Sequence, residues 1–248
     1  MKRAFCVFII FVLGIIPILG FAAQITMFDN QKDDSINTWY NTTGEDQEVE
    51  PGAVFSQDWD LEGMFFDGTS LSIVGGWNFK NGVGSVGSGD IFISTMGKVS
   101  YGSGIIDSNT NQPVNNSFGY NYVFDVNWQS NTYTLWEINE NTQVTTATAF
   151  GQSNPVAYSS GSVQNKGEGS FVYTTGLTDA MTGFTGGLHF QVSGFDLSPL
   201  GKDVSFIAHF TQECGNDVIM GQVPEPGTLI LLGMGLLGIS AMGRKHVV

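Results

Sequence analysis

The sequence predicts an all-β protein: a two-sheet, jelly-roll-like sandwich flanked by an N-terminal signal peptide and a C-terminal transmembrane helix. Three observations carry that expectation. Glycine is abundant, at 33 residues, while charged residues make up only 13% of the 248-residue chain. Away from the two ends no long stretch repeats its apolar residues at helical spacing. Short runs instead alternate apolar and polar residues between clusters of Gly, Asn, Ser and Pro, the pattern of half-buried strands joined by turns.

At the N-terminus, Lys2 and Arg3 precede an apolar run over residues 5–19, and Gly20-Phe21-Ala22 places small residues where signal peptidase cuts. The run is shorter than the roughly 20 residues of a spanning helix. Residues 1–23 are therefore read as a secretory signal, cleaved after Ala22 or Ala23. Its removal takes Cys6 and leaves Cys214 as the remaining cysteine of two, so no intrachain disulfide can form and burial is its expected fate.

Residues 24–222 are long enough for one core and form a single expected surface domain. All of the 23 Asp and Glu except Glu225 lie there, against Lys32, Lys80, Lys98, Lys166 and Lys202 as the cations, so this stretch is more negative than the −14 of the whole chain. Such a surface repels phosphate backbones and excludes nucleic acid as a partner. The acidic excess is read as a solvated surface that keeps an exported domain dispersed.

The clearest strand covers residues 120–128. Tyr120, Tyr122, Phe124, Val126 and Trp128 alternate with Asn121, Asp125 and Asn127, and Val123 is the apolar intruder on the polar face. Val204, Phe206, Ala208 and Phe210 repeat the pattern, with Ser205, His209, Thr211 and Glu213 opposite; so do Leu188, Phe190 and Val192. Further strands are expected over residues 71–79, 90–96, 132–138, 144–150 and 170–174. Lys80-Asn81-Gly82 reads as a tight turn, because Asn-Gly tolerates the positive φ a hairpin requires. The spacing of these runs suits a jelly-roll-like arrangement.

The chemical motifs are mostly negative. Residues 82–87 match G-x-G-x-x-G, but a strand rather than a helix follows, so a glycine-rich hairpin loop is expected in place of a dinucleotide site. Residues 107–111 begin like a calcium loop, yet Gln112 and Phe118 stand where Gly and the bidentate Glu belong. Asp58 and Asp60 flank Trp59 and would share one face of a strand, a weak metal pair. No cofactor or metal is expected, with Ca²⁺ the minor alternative. His189, His209 and His246 occur in no catalytic motif, and His209 and Cys214, five residues apart, would point to opposite strand faces. No catalytic residue is assigned and the protein is expected not to be an enzyme.

Aromatic side chains suggest a second reading. Exposed rings on a sandwich can stack on sugar faces, and Trp39, Trp59 and Trp136 are the candidate carbohydrate contacts, while Trp128 is assigned to the core. A lectin-like module is thus the alternative function, and a secreted polysaccharide hydrolase using paired carboxylates the third.

The C-terminus is the most specific part of the chain. Val223, Pro224, Glu225, Pro226, Gly227 and Thr228 form a proline-rich break, residues 229–243 an apolar helix, and Arg244 and Lys245 begin a basic tail over residues 244–248. Apolar residues surround the whole helix rather than one stripe, which suits lipid. The basic end marks a stop-transfer segment whose tail stays in the cytoplasm. In this order the three parts resemble the PEP-CTERM sorting signal of Gram-negative surface proteins. Residues 71–79, 88–93 and 120–125 are similar to a core that recurs in exosortase-dependent surface proteins. Residues 208–217, Ala-His-Phe-Thr-Gln-Glu-Cys-Gly-Asn-Asp, are similar to a segment found before the tag in many of them; Gln212-Glu213 is more charged than its commoner form. Taken as residues alone, Thr211 to Asp217 reads as the end of a last strand and a Gly-Asn turn. The resemblance implies an exported protein anchored first in the inner membrane, processed by an exosortase near Pro224, Glu225 and Pro226, and then placed at the cell surface or in a biofilm matrix. Extracellular polysaccharide is the implied further partner, and the family brings no catalytic activity.

Overall fold

A computed structural model describes residues 22–29, 54, 56–100, 113–161, 163–202 and 204–224. The signal run, Trp39, residues 107–111, His246 and the tag from Glu225 through Gly227, Thr228, Arg244 and Lys245 lie outside the described residues. No described helix is long and apolar enough to cross a membrane.

In chain order the strands are β1 (Ala23–Gln24), β2 (Thr26–Asp29), β3 (Leu61–Phe66), β4 (Ser70–Gly75), β5 (Ile91–Ser94), β6 (Val114–Asn115), β7 (Tyr122–Asn127) and β8 (Thr132–Glu137). They continue with β9 (Gln143–Thr145), β10 (Ala157–Ser160), β11 (Gln164–Ser170), β12 (Val172–Thr178), β13 (Leu188–Asp196), β14 (Phe206–Thr211) and β15 (Val218–Val223). One helical turn, α1 (Asp179–Thr182), separates β12 from β13. A five-stranded sheet runs β1-β3-β4-β13-β12, a seven-stranded sheet runs β11-β8-β7-β5-β14-β15-β2, and a three-stranded sheet runs β10-β9-β6. Hairpin partners such as β3 and β4, β7 and β8, β12 and β13, and β14 and β15 stay side by side in one sheet. Elsewhere the chain changes sheet strand by strand, as from β1 to β2 to β3, from β5 to β6 to β7 and from β10 to β11 to β12.

The core lies between the two larger sheets. Ile91, Ile93, Phe124, Val126, Leu135, Ala208, Phe210 and Ile219 face Leu61, Met64, Leu71, Ile73, Val192 and Phe195 across it. Within the seven-stranded sheet these are alternate residues of their strands, since successive side chains point to opposite faces; in β3 and β13 a register shift brings Leu61 and Met64, and Val192 and Phe195, to one face across three residues. Each such side chain taken from water contributes roughly 1.5–3 kcal/mol if it is as large as Leu or Phe.

A second cluster explains the apolar intruder in β7. Val123 and Phe92 point outward from the seven-stranded sheet and pack with Phe118, Tyr120, Ile138 and Val144, the last from β9. The three-stranded sheet thus covers the outer face of the larger one, and β7 is buried on both sides. Tyr120 is corrected accordingly: it precedes the strand and joins this outer cluster instead of the Phe124 face. Trp128 packs at the edge of the main core, stacked on Phe79 at 6.0 Å.

Several expected strands are shorter than the apolar runs that suggested them. The one over residues 71–79 ends at Gly75, after which Trp77 turns into the core and donates from Nε1 to Ser88 Oγ at 2.7 Å. The one over residues 144–150 stops at Thr145. At Lys80-Asn81-Gly82 the turn forms as expected: Gly82 has φ +63° and donates its N–H to Asn78 O at 2.7 Å. Val83 and Val86 then bridge across a glycine loop.

Candidate functional site

The site of interest is built from the end of the chain inward. β15 is paired on both sides, with β14 (Phe206 opposite Val223) and with β2 (Gly221 opposite Thr26). Val223, the first residue of the proline-rich break, is the last paired residue, and the exposed Pro224 follows it directly. Proline has no N–H to continue a ladder, so pairing stops there.

What holds β15 is a buried polar knot in the turn that precedes it. Gln212 is fully buried; its Nε2 donates to Trp59 O at 2.8 Å and its Oε1 accepts from Asp217 N at 2.8 Å. Asp217 accepts from Leu61 N and Val218 N, each at 2.7 Å. Thr211 Oγ1 donates to Asp217 O at 2.5 Å, and Ser153 Oγ donates to Gly215 O at 2.7 Å. Gly215 takes φ +72°, and a Cβ there would sit 2.4 Å from Phe150 O, so glycine is required. The turn expected over Thr211 to Asp217 is present, but as a crosslink between sheets. Gln212 continues the alternation of Phe206, Ala208 and Phe210, and it is buried with its amide satisfied, at low cost for a polar group.

Cys214 lies in this turn, 8% exposed and free, and burial raises its thiol pKa. His209 is separate from it: its Nε2–H donates to Pro155 O at 2.9 Å, since a carbonyl can only accept. Burial pushes the His209 pKa down to about 4, so the ring is neutral.

The remaining candidates are dispersed. Asp58 and Asp60 do not share a strand face: the 3-10 turn Gln57–Trp59 leaves Asp58 exposed and Asp60 buried. That corrects the paired-carboxylate expectation, and among the described residues no three His, Cys, Asp or Glu side chains gather as metal ligands do. Trp59 is half-buried against Trp77 at 5.3 Å. Trp136 is half-buried against Tyr158 at 6.3 Å and donates from Nε1 to Asp125 Oδ2 at 3.2 Å. The two tryptophans belong to different clusters and form no common platform.

Two arrangements were not legible in the sequence. An open cleft of about 780 Å³ is lined by Trp128, Tyr133, Lys80, Asp125, Glu168 and Glu213, among others. It joins residues far apart in the chain, so no local spacing signals it. The other is His189, buried beneath α1, with Nδ1 2.7 Å from Glu62 Oε2 and Nε2 2.9 Å from Asp179 Oδ1. The ring and the N–H of Gly187 lower the Asp179 carboxyl below its ordinary range. A carboxylate thus lies on each ring nitrogen.

A folded antiparallel β domain whose last doubly paired strand runs straight into a Pro-Glu-Pro break is a domain presented by a terminal sorting segment. Residues 222–245 match the family model of the PEP-CTERM protein-sorting motif. The chain thus carries a PEP-CTERM sorting motif, and the motif implies export with membrane-anchored processing by an exosortase. No curated protein and no solved structure matches the chain.

Proposed function

We propose that this protein is a non-enzymatic component of the cell surface or of an exopolysaccharide biofilm matrix, exported, held first by residues 229–243 and then released or transferred by an exosortase. The observation that carries the reading is the junction at Val223 and Pro224: sheet pairing ends at Val223 and the exposed Pro224 opens the Pro-Glu-Pro of the sorting motif, so the motif follows directly on a finished domain. No cofactor is needed for such a role. Replacing Pro224, Glu225 and Pro226 by Ala should leave export intact and block processing, because the apolar run and the basic tail still stop transfer. Mass spectrometry of the product from an exosortase-positive host reads the outcome. A product still trimmed near residue 224 overturns the proposal.

A carbohydrate-binding role is the second reading, supported by the cleft beside Trp128 and Tyr133, whose polar and acidic lining suits neutral sugars better than anionic ones. A glycan array probed with the domain separates it from a purely structural role. Trp59 and Trp136 do not line this cleft, and each packs on another ring.

A further inference from the structure

We infer that the end of the sandwich from which both termini leave is a membrane-facing surface, lying against anionic lipid headgroups while the C-terminal segment remains attached. The inference rests on the proposed anchoring by residues 229–243.

Ile25 places the two termini together. Its N–H donates to Met64 O in the five-stranded sheet at 2.8 Å, and its carbonyl accepts Gln222 N from the seven-stranded sheet at 2.8 Å. Ala22 and Pro224 therefore leave the domain from one end. Pro224 stands five residues before Leu229, where the apolar run starts, and five residues span at most about 17 Å. That tether keeps this end of the domain near the bilayer, whichever way the remainder points.

The residues gathered there suit a headgroup layer. Ser94 pairs with Ile207, and Ile207 pairs with Gln222, so the loop following Ser94 projects beside the departing tag. A groove lined by Gly97, Phe206, Val223 and Pro224 joins the two. On that loop Met96 is 63% exposed and Lys98 is exposed beside it. Lys202 is exposed in the turn before β14. Two of the few cations of an acidic domain thus stand where anionic headgroups would meet them, and an exposed thioether lies between lipid and protein. Asp67 and Asp196 share this end, but each is turned back onto backbone N–H groups, of Thr69 and Ser70 and of Ser198. Glu137, the last residue of β8, also lies at this end, where Lys166 pairs with it at 3.2 Å.

The far end supplies an internal control. Thr178 pairs with Leu188 at the opposite end of the sheet from the pair of Asp196 and Ser70. Met181, in α1 just beyond Thr178, is 68% exposed, and the strands between put it on the order of 20 Å farther from the tag. Peroxide oxidises exposed thioethers to sulfoxides, so the two methionines report orientation by their relative rates.

The test uses residues 23–248 reconstituted into vesicles of phosphatidylglycerol and phosphatidylcholine, isolated by flotation, treated with peroxide and mapped by mass spectrometry. Met96 should oxidise several-fold more slowly than Met181 in the vesicle-bound chain, and at a similar rate once the tag is cut off. The double substitution Lys98→Glu, Lys202→Glu should leave flotation intact and abolish most of the Met96 protection. Equal oxidation of Met96 and Met181 in the floated chain overturns the orientation while leaving the anchor standing. Protection that survives the double substitution overturns the headgroup contact. A chain that fails to float overturns the anchor, and the orientation with it.

Discussion

The carboxylate of Asp217 accepts the backbone N–H of Leu61 at 2.7 Å, joining the first residue of β3 to the turn that launches β15. Its other oxygen accepts Val218 N, so both oxygens are acceptors within one buried turn. Asp217→Asn turns one of them into a donor facing an N–H. The expected loss is about 1–3 kcal/mol, the cost of an unsatisfied buried polar group. Denaturant melts of residues 24–224 measure it, and an unchanged midpoint would show that the knot does not secure the strand leading to the sorting motif.

β7 makes a second test, because its two faces are both covered. Phe124→Ala removes a ring packed 5.0 Å from Tyr133 and 5.4 Å from Phe195, and should cost about 3–5 kcal/mol. Val123→Ala, on the outer face, should cost roughly 2 kcal/mol for two buried methyl groups and the space they leave. Asn127 is exposed, and its replacement by Ala should change stability by less than about 1 kcal/mol. Equilibrium unfolding of the three variants decides the order. A silent Val123→Ala would remove the three-stranded sheet from the folded core.

Two buried groups give the domain opposing responses to pH. Burial pushes the Asp90 carboxyl from 3.8 up to about 8, even though Val126 N and Tyr158 N donate to its two oxygens at 2.9 and 2.8 Å. His209 is pushed from 6.5 down to about 4 by burial. Folded Asp90 keeps a proton that the unfolded chain releases above 3.8, so its contribution declines as pH rises toward about 8. The unfolded chain takes up a proton that folded His209 refuses, so that contribution declines as pH falls from 6.5 to about 4. The slopes oppose each other below 6.5, and Asp90 acts alone above it. His209→Gln should leave stability falling steadily from about pH 4 to about 8, whereas Asp90→Asn should leave it rising to about 6.5 and then level. Urea midpoints across that range would contradict the assignment if the two variants kept the same slope.

Cys214 should be inert in the native protein. It is 8% exposed, and burial raises its pKa, so little thiolate is available. Alkylation of the folded domain should be much slower than in denaturant. Comparable rates would mean that the turn opens readily and exposes the thiol to solvent.

The alternation of Phe124 and Val126, and of Phe206, Ala208 and Phe210, was legible in the sequence because a strand facing one core repeats every second residue. The sorting segment was legible for a similar reason: a proline break, an apolar run and a basic end act through order along the chain, and local order is what a sequence displays. Tertiary structure alone decided the rest. Gln212, Asp217 and Leu61 form a knot only because two sheets converge on one turn, and Val123 and Tyr120 are buried only because a third sheet covers them. The cleft beside Trp128 and the closeness of Ile25 to Gln222 likewise depend on which strands become neighbours. Strand neighbours are chosen by burial and hydrogen-bond satisfaction summed over the whole domain, and no local spacing encodes that sum.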